Sequence, residues 1–194
     1  MSNRPTRRAP TVTMSDIVLP GQTNNHGTMF GGEVLAMMDK AAALAALRFC
    51  RQSVVTASTE RIDFRTPIRR GDLIDMVARV IYVGTSSMIV RIDAWAERPL
   101  IGERDWCTTG YYSMVAVDAD GKPCSIPRLL VETPAEHADW EHGAKIKASI
   151  QARLNDASPA PQDPERKDER GKCQDEDNAL RQNRGCSAQV LQEH

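Results

Sequence analysis

The sequence predicts an α+β domain in which an antiparallel sheet wraps one long central helix. Three observations predict it. The stretch from about residue 31 to 51 is apolar around most of a helical wheel, the mark of a buried helix. Four or five other segments alternate with period two and carry their apolar side chains on one face only. Past Pro127 the composition turns helical, then almost wholly polar.

Residues 1–10, "MSNRPTRRAP", are basic and read as a flexible N-terminus. The domain opens with a β-rich stretch, "TVTMSDIVLP", which ends at Pro20 and Gly21. A polar loop, "NNHGTMF", leads into the helix. Strands follow in "VVTASTERIDF", "DLIDMVARVIYV", "SMIVRIDAWAE" and "RDWCTTGYYSMVAVD". In the second of these Ile74, Met76, Ala78, Val80 and Tyr82 share a face. In the third, Met88, Val90, Ile92, Ala94 and Ala96 face the core, opposite Arg91, Asp93 and Glu97. Turns stand at "RRGD", "VGTSS" and "DADGKP". These elements place the domain at about residues 11–130, with a helical extension over 131–154 that Thr133 could cap ahead of Pro134. Residues 155–194 hold few large apolar side chains, too few to offset ordering entropy, and are expected to be disordered.

The bulk properties exclude several classes. A net charge of −1 gives no reason to expect nucleic acid or an anionic membrane as a partner. Five scattered cysteines, without C-x-x-C spacing, argue against a disulfide framework and a zinc site, and fit a reducing cytoplasm. No apolar run reaches membrane-spanning length, and the start lacks the apolar core of a secretory signal.

Chemistry concentrates in "NNHGTMFGGEVLAMMD", residues 24–39. Asp39 is an acid set in an apolar helix. At 100° per residue, Gly32, Leu35, Ala43, Ala46 and Cys50 fall within about 40° of it. With Ala42 close by, Asp39 projects from a face of small residues, Ala42, Ala43 and Ala46, open to a slender ligand or another backbone. One reading is a salt bridge to an arginine; the other is a functional carboxylate. Gly31 and Gly32 stand where the helix begins, with backbone N–H groups that lack intrahelical acceptors and no Cβ to block approach. Such groups suit either a tight turn or an oxyanion site. Gly32 and Asp39 are separated by about 10 Å along the helix, too far to serve the same reacting atoms. If the two act together, they do so from two antiparallel copies across a twofold axis.

The stretch "LPGQTNNHGTMFGGEVLAMMD" resembles the signature of hotdog-fold acyl-CoA thioesterases of the YciA type and the related cytosolic long-chain acyl-CoA hydrolases. Pro20, Asn24, Gly27, Phe30, Gly31, Gly32, Met38 and Asp39 match in register. "VVT" at 54–56, "F-x-x-P-I-x-x-G-D" at 64–72, "VGTSS" at 83–87, "IGER" at 101–104 and "VAVDADGKP" at 115–123 follow in the same order.

The resemblance implies a hotdog fold, hydrolysis of acyl-CoA to a free acid and CoA, and a homodimer at minimum, often a trimer of dimers. It gives Asp39 the catalytic carboxylate role, either activating water or attacking directly, and Asn24 that of a polar partner across the interface; the amides of Gly31 and Gly32 would then polarise the thioester carbonyl. CoA contacts are expected from Arg69, Arg70, Gly84, Thr85, Ser86, Ser87 and Arg104, with Arg98 a further candidate. No cofactor or metal is implied beyond CoA as part of the substrate. His26 reads as a surface loop residue. The alternative from another class is a non-catalytic acyl-CoA-binding regulator, against which stands the lack of any DNA-binding flank.

Overall fold

The computed structural model describes residues 4–156; the tail expected to be disordered lies, but for its first two residues, outside them. Seven strands and two helices are arranged as β1 (Thr6–Arg7), β2 (Val12–Ile17), α1 (Gly31–Cys50), β3 (Ser53–Thr59), β4 (Leu73–Val83), β5 (Ser87–Arg98), β6 (Glu103–Val117), β7 (Arg128–Leu129) and α2 (Pro134–Asn155). β2, β4, β5, β6 and β3 form one antiparallel sheet in that order. Its concave face closes on α1, the arrangement expected of a hotdog fold.

Alternation explains the core. Met88, Val90, Ile92, Ala94 and Ala96 of β5 all point at α1, as their period-two spacing predicts. β4 departs from the expectation at one point. A bulge between Val80 and Tyr82 turns Tyr82 to the outer face, and Val83 takes its place in the core. Pattern alone misses such a shift, because one extra residue reverses the faces beyond it.

Tyr82 is used on the outer face, where α2 lies. Its ring packs 4.6 Å from that of Trp140, and Tyr111 packs 4.8 Å from His142. Ile146 and Ile150 close a small second core on Ile81 and Ile89. Asp139 pairs with both Arg79 and Arg91 at the edge of this contact. Gly143 makes the close approach possible, since a Cβ there would stand 2.5 Å from Tyr82 Cβ. Gly143→Leu should therefore push α2 off the sheet and cost about 1–3 kcal/mol, read as a lowered midpoint of thermal unfolding. Thr133 caps α2 as expected: its hydroxyl accepts the Glu136 N–H at 3.2 Å. Glu136 returns the contact to the backbone N–H groups of Thr133 and Glu132, which hold its carboxyl down to about 2.

Residues 4–7 fall within the stretch read as a flexible N-terminus. β1 pairs in parallel with β7, and the Arg4 guanidinium donates to Gly84 O at 2.7 Å and Thr85 O at 3.2 Å. The strand is two residues long and its partner lies over a hundred positions away, so no local periodicity announces it.

Candidate active site

The loop before α1 is organised by Asn24. Its side-chain Oδ1 accepts the backbone N–H groups of His26 (2.9 Å) and Thr28 (3.2 Å), and its Nδ2 donates to Thr28 Oγ1 at 3.0 Å. Asn24 thereby shapes the turn that delivers Gly31 and Gly32. His26 is exposed and offers only its backbone N–H to this network.

The loop is tied to the sheet by Met29 N–H donating to Ile68 O (2.8 Å) and Arg70 N–H donating to Gly27 O (3.0 Å). Phe30 N–H reaches back to Gln22 O. The first intrahelical bonds run from Glu33 and Val34 to Phe30 O. Among the described residues the amides of Gly31 and Gly32 have no acceptor. They sit at the positive end of a helix of 20 residues. Gly31 also leaves room for the Phe64 ring, which a Cβ would meet at 3.3 Å.

Asp39 lies two turns further along. It is half-buried rather than enclosed, and among the described residues no arginine pairs with it. Its partner is Thr56 on β3, whose hydroxyl donates to Asp39 Oδ1 at 2.6 Å. That bond occupies one carboxylate oxygen and fixes the rotamer. The negative charge is felt by buried Tyr112, whose phenol is pushed up to about 12, first by burial and then by Asp39. Thr56 did not stand out in the sequence. The only signal was its place within "VVT", seventeen residues after Asp39.

The helix is less buried than its composition suggested. Gly32, Ala36 and Leu47 are exposed in a stripe that runs past Asp39 and Ala43, and Leu35 and Leu44 flank it. β3, beside this stripe, is an edge strand with Val55 49% exposed. Among the described residues nothing covers this apolar stripe or pairs with the outer edge of β3.

The expected CoA contacts divide. Arg69 and Arg70 line a cavity of about 390 Å³ together with Asn24, Asn25, His26 and Thr28. They lie beside the Gly27–Thr28 backbone, and the Arg69 backbone N–H donates to Asp72 Oδ2 at 2.8 Å, while neither guanidinium forms an ion pair among the described residues. Arg104 is instead paired with Asp75 (2.9 Å) and lies over the Trp95 ring on the outer face. Arg98 is held by Glu103 and Asp105. Gly84, Thr85, Ser86 and Ser87 form the turn between β4 and β5, about 33 Å along β4 from the Arg69–Arg70 end. Within one chain they are remote from Gly31. Among the described residues no group of three or more His, Cys, Asp or Glu side chains could hold a metal ion, and no helix is long and apolar enough to cross a membrane.

A protein-family model described as the thioesterase superfamily matches residues 26–102. The uncharacterised acyl-CoA thioester hydrolase YkhA of Bacillus subtilis is 40% identical over 125 residues, which span 64% of this chain and 73% of that protein. An acyl-CoA hydrolase from Staphylococcus aureus, solved with butyryl-coenzyme A, coenzyme A and coenzyme A disulfide, superposes with a TM-score of 0.73. It is 33% identical and the match covers 78% of this chain and 94% of that one. That enzyme has also been solved with an asparagine, an aspartate or a threonine replaced by alanine. The three positions are spaced by fifteen and seventeen residues, the spacing of Asn24, Asp39 and Thr56. A hexameric acyl-CoA thioesterase superposes with a TM-score of 0.74 at 34% identity, covering 77% of this chain and 97% of that one.

Proposed function

Because this chain belongs to the acyl-CoA thioester hydrolases of the thioesterase superfamily, we propose that Asp39 and the Gly31–Gly32 turn of a facing subunit form its catalytic centre. The reaction is hydrolysis of an acyl-CoA thioester to a free carboxylic acid and CoA. The observation that carries the site is the pairing of two unfilled amides at a helix start with a carboxylate fixed by Thr56.

The mechanism follows from these groups. The thioester carbonyl oxygen accepts hydrogen bonds from the Gly31 and Gly32 amides, which stabilise the negative charge that develops on it. Asp39 of the facing subunit, with Oδ1 held by Thr56, takes a proton from water through Oδ2. The hydroxide equivalent attacks the carbonyl carbon. Collapse of the tetrahedral intermediate breaks the C–S bond, and the thiolate of CoA leaves without needing a strong acid. Asn24 keeps the amides in place and has an Nδ2 proton left to orient the substrate.

Two antiparallel α1 helices, stacked through the stripe that holds Gly32, Ala36, Asp39, Ala43 and Leu47, would bring the separated groups together. Pairing of the two β3 edges would continue the sheet across the dimer. Further association into a hexamer, supported by the hexameric relative, would allow Gly84–Ser87 of another subunit to reach the CoA bound near Arg69 and Arg70. The scattered free thiols are in keeping with a cytoplasmic setting.

Thiol release from a panel of acyl-CoAs tests the reading. Turnover is expected; tight binding of acyl-CoA without released thiol would make the protein a ligand-binding regulator instead. Thr56→Ala should lower kcat about tenfold with little change in KM, and Thr56→Ser should restore most of it.

A further inference from the structure

We propose that the cavity roofed by Phe64 receives the acyl chain, and that the Phe64 ring sets which chain length is hydrolysed fastest. The inference rests on the thioesterase reading and adds the location of the hydrocarbon. The cavity, of about 310 Å³, opens between the start of α1 and residues 64–68, with Gly31 in its wall. Its apolar surface comes from Met29, Val34, Phe64, Pro67 and Ile68.

The two hydroxyl side chains of the same wall are already engaged. The Thr28 hydroxyl exchanges hydrogen bonds with the Asn24 side chain, and the Thr66 hydroxyl donates to Trp106 O at 3.1 Å. The Arg65 guanidinium lies 5.4 Å over the Trp106 ring, and its backbone N–H is spent on Cys107 O. A wall of this kind offers little to the amides of a pantetheine arm, which would lose water without replacement. A hydrocarbon chain makes no such demand.

Position argues the same way. A carbonyl oxygen held at the Gly31 and Gly32 amides puts the carbons next to it beside the Phe64 ring. That ring is 50% exposed, so burial in the core does not account for its place. It rests instead over Gly31, where a Cβ would crowd it. Its size therefore decides how much room the chain has immediately beyond the carbonyl.

The test measures kcat/KM over straight-chain acyl-CoAs from acetyl to palmitoyl, for the wild type, Phe64→Ala and Phe64→Trp. Phe64→Ala should raise kcat/KM for chains longer than the wild-type optimum by about tenfold relative to that optimum. Phe64→Trp should shift the optimum toward shorter chains. An unchanged profile in both variants, or a KM raised equally at every length, would overturn the proposal, since the ring would then touch the part common to all substrates. Failure of the wild type to hydrolyse any acyl-CoA would overturn the thioesterase reading itself. The two failures are therefore told apart.

Discussion

Asp39→Ala is expected to lower kcat by about a thousandfold, the loss that removal of the general base proposed above would cause. Assembly should survive. Among the described residues Asp39 forms no ion pair, its side-chain hydrogen bond comes from the Thr56 hydroxyl, and it is half-buried, so its removal leaves no enclosed charge and little empty volume. Steady-state thiol release gives the activity, and size-exclusion chromatography with light scattering gives the assembly. Near-normal kcat in a variant of normal mass would remove the carboxylate from the mechanism. Asp39→Asn sharpens the result, because it keeps the Thr56 contact in outline yet cannot accept a proton.

Mixing two inactive variants should restore activity, the second large effect. Asn24→Ala is expected to collapse the loop that presents Gly31 and Gly32, because four of the loop's hydrogen bonds end on that side chain. Asp39→Ala removes the acid alone. When the two chains are unfolded and refolded together, half of the dimers are mixed. In each mixed dimer one of the two sites receives an intact Asp39 from one chain and an intact glycine turn from the other. About a quarter of wild-type activity should then return, against almost none for either variant refolded by itself. The expectation depends on the 10 Å that separates Gly32 from Asp39 along one helix. If the mixed sample stayed as inactive as its components, each site would be built within a single chain.

Several parts of this arrangement were legible from residue order. The one-faced alternation of β5 named its core residues correctly, since a half-buried strand imposes period two on its own neighbours. The bounds of α1 followed from its apolar wheel and from the glycines at its start. The seven-residue gap between Gly32 and Asp39 calls for a second copy if the two act on one substrate, and that gap is legible in residue order alone.

Other parts were decided only by tertiary structure. The sequence by itself determined which strands and helix form and where the carboxylate and the bare amides lie along the chain, because those depend on spacing between near neighbours. It did not determine that Asp39 would bond to Thr56 rather than to an arginine, or that Phe64 would lie over Gly31. Nor did it announce that Arg4 would brace the turn at Gly84, or that Tyr82 would leave the core through a bulge. Each of these contacts depends on the register between segments far apart in the chain, and a shift of one residue in a strand exchanges its two faces. Local pattern carries no record of that register, which is set when the whole sheet closes on its helix.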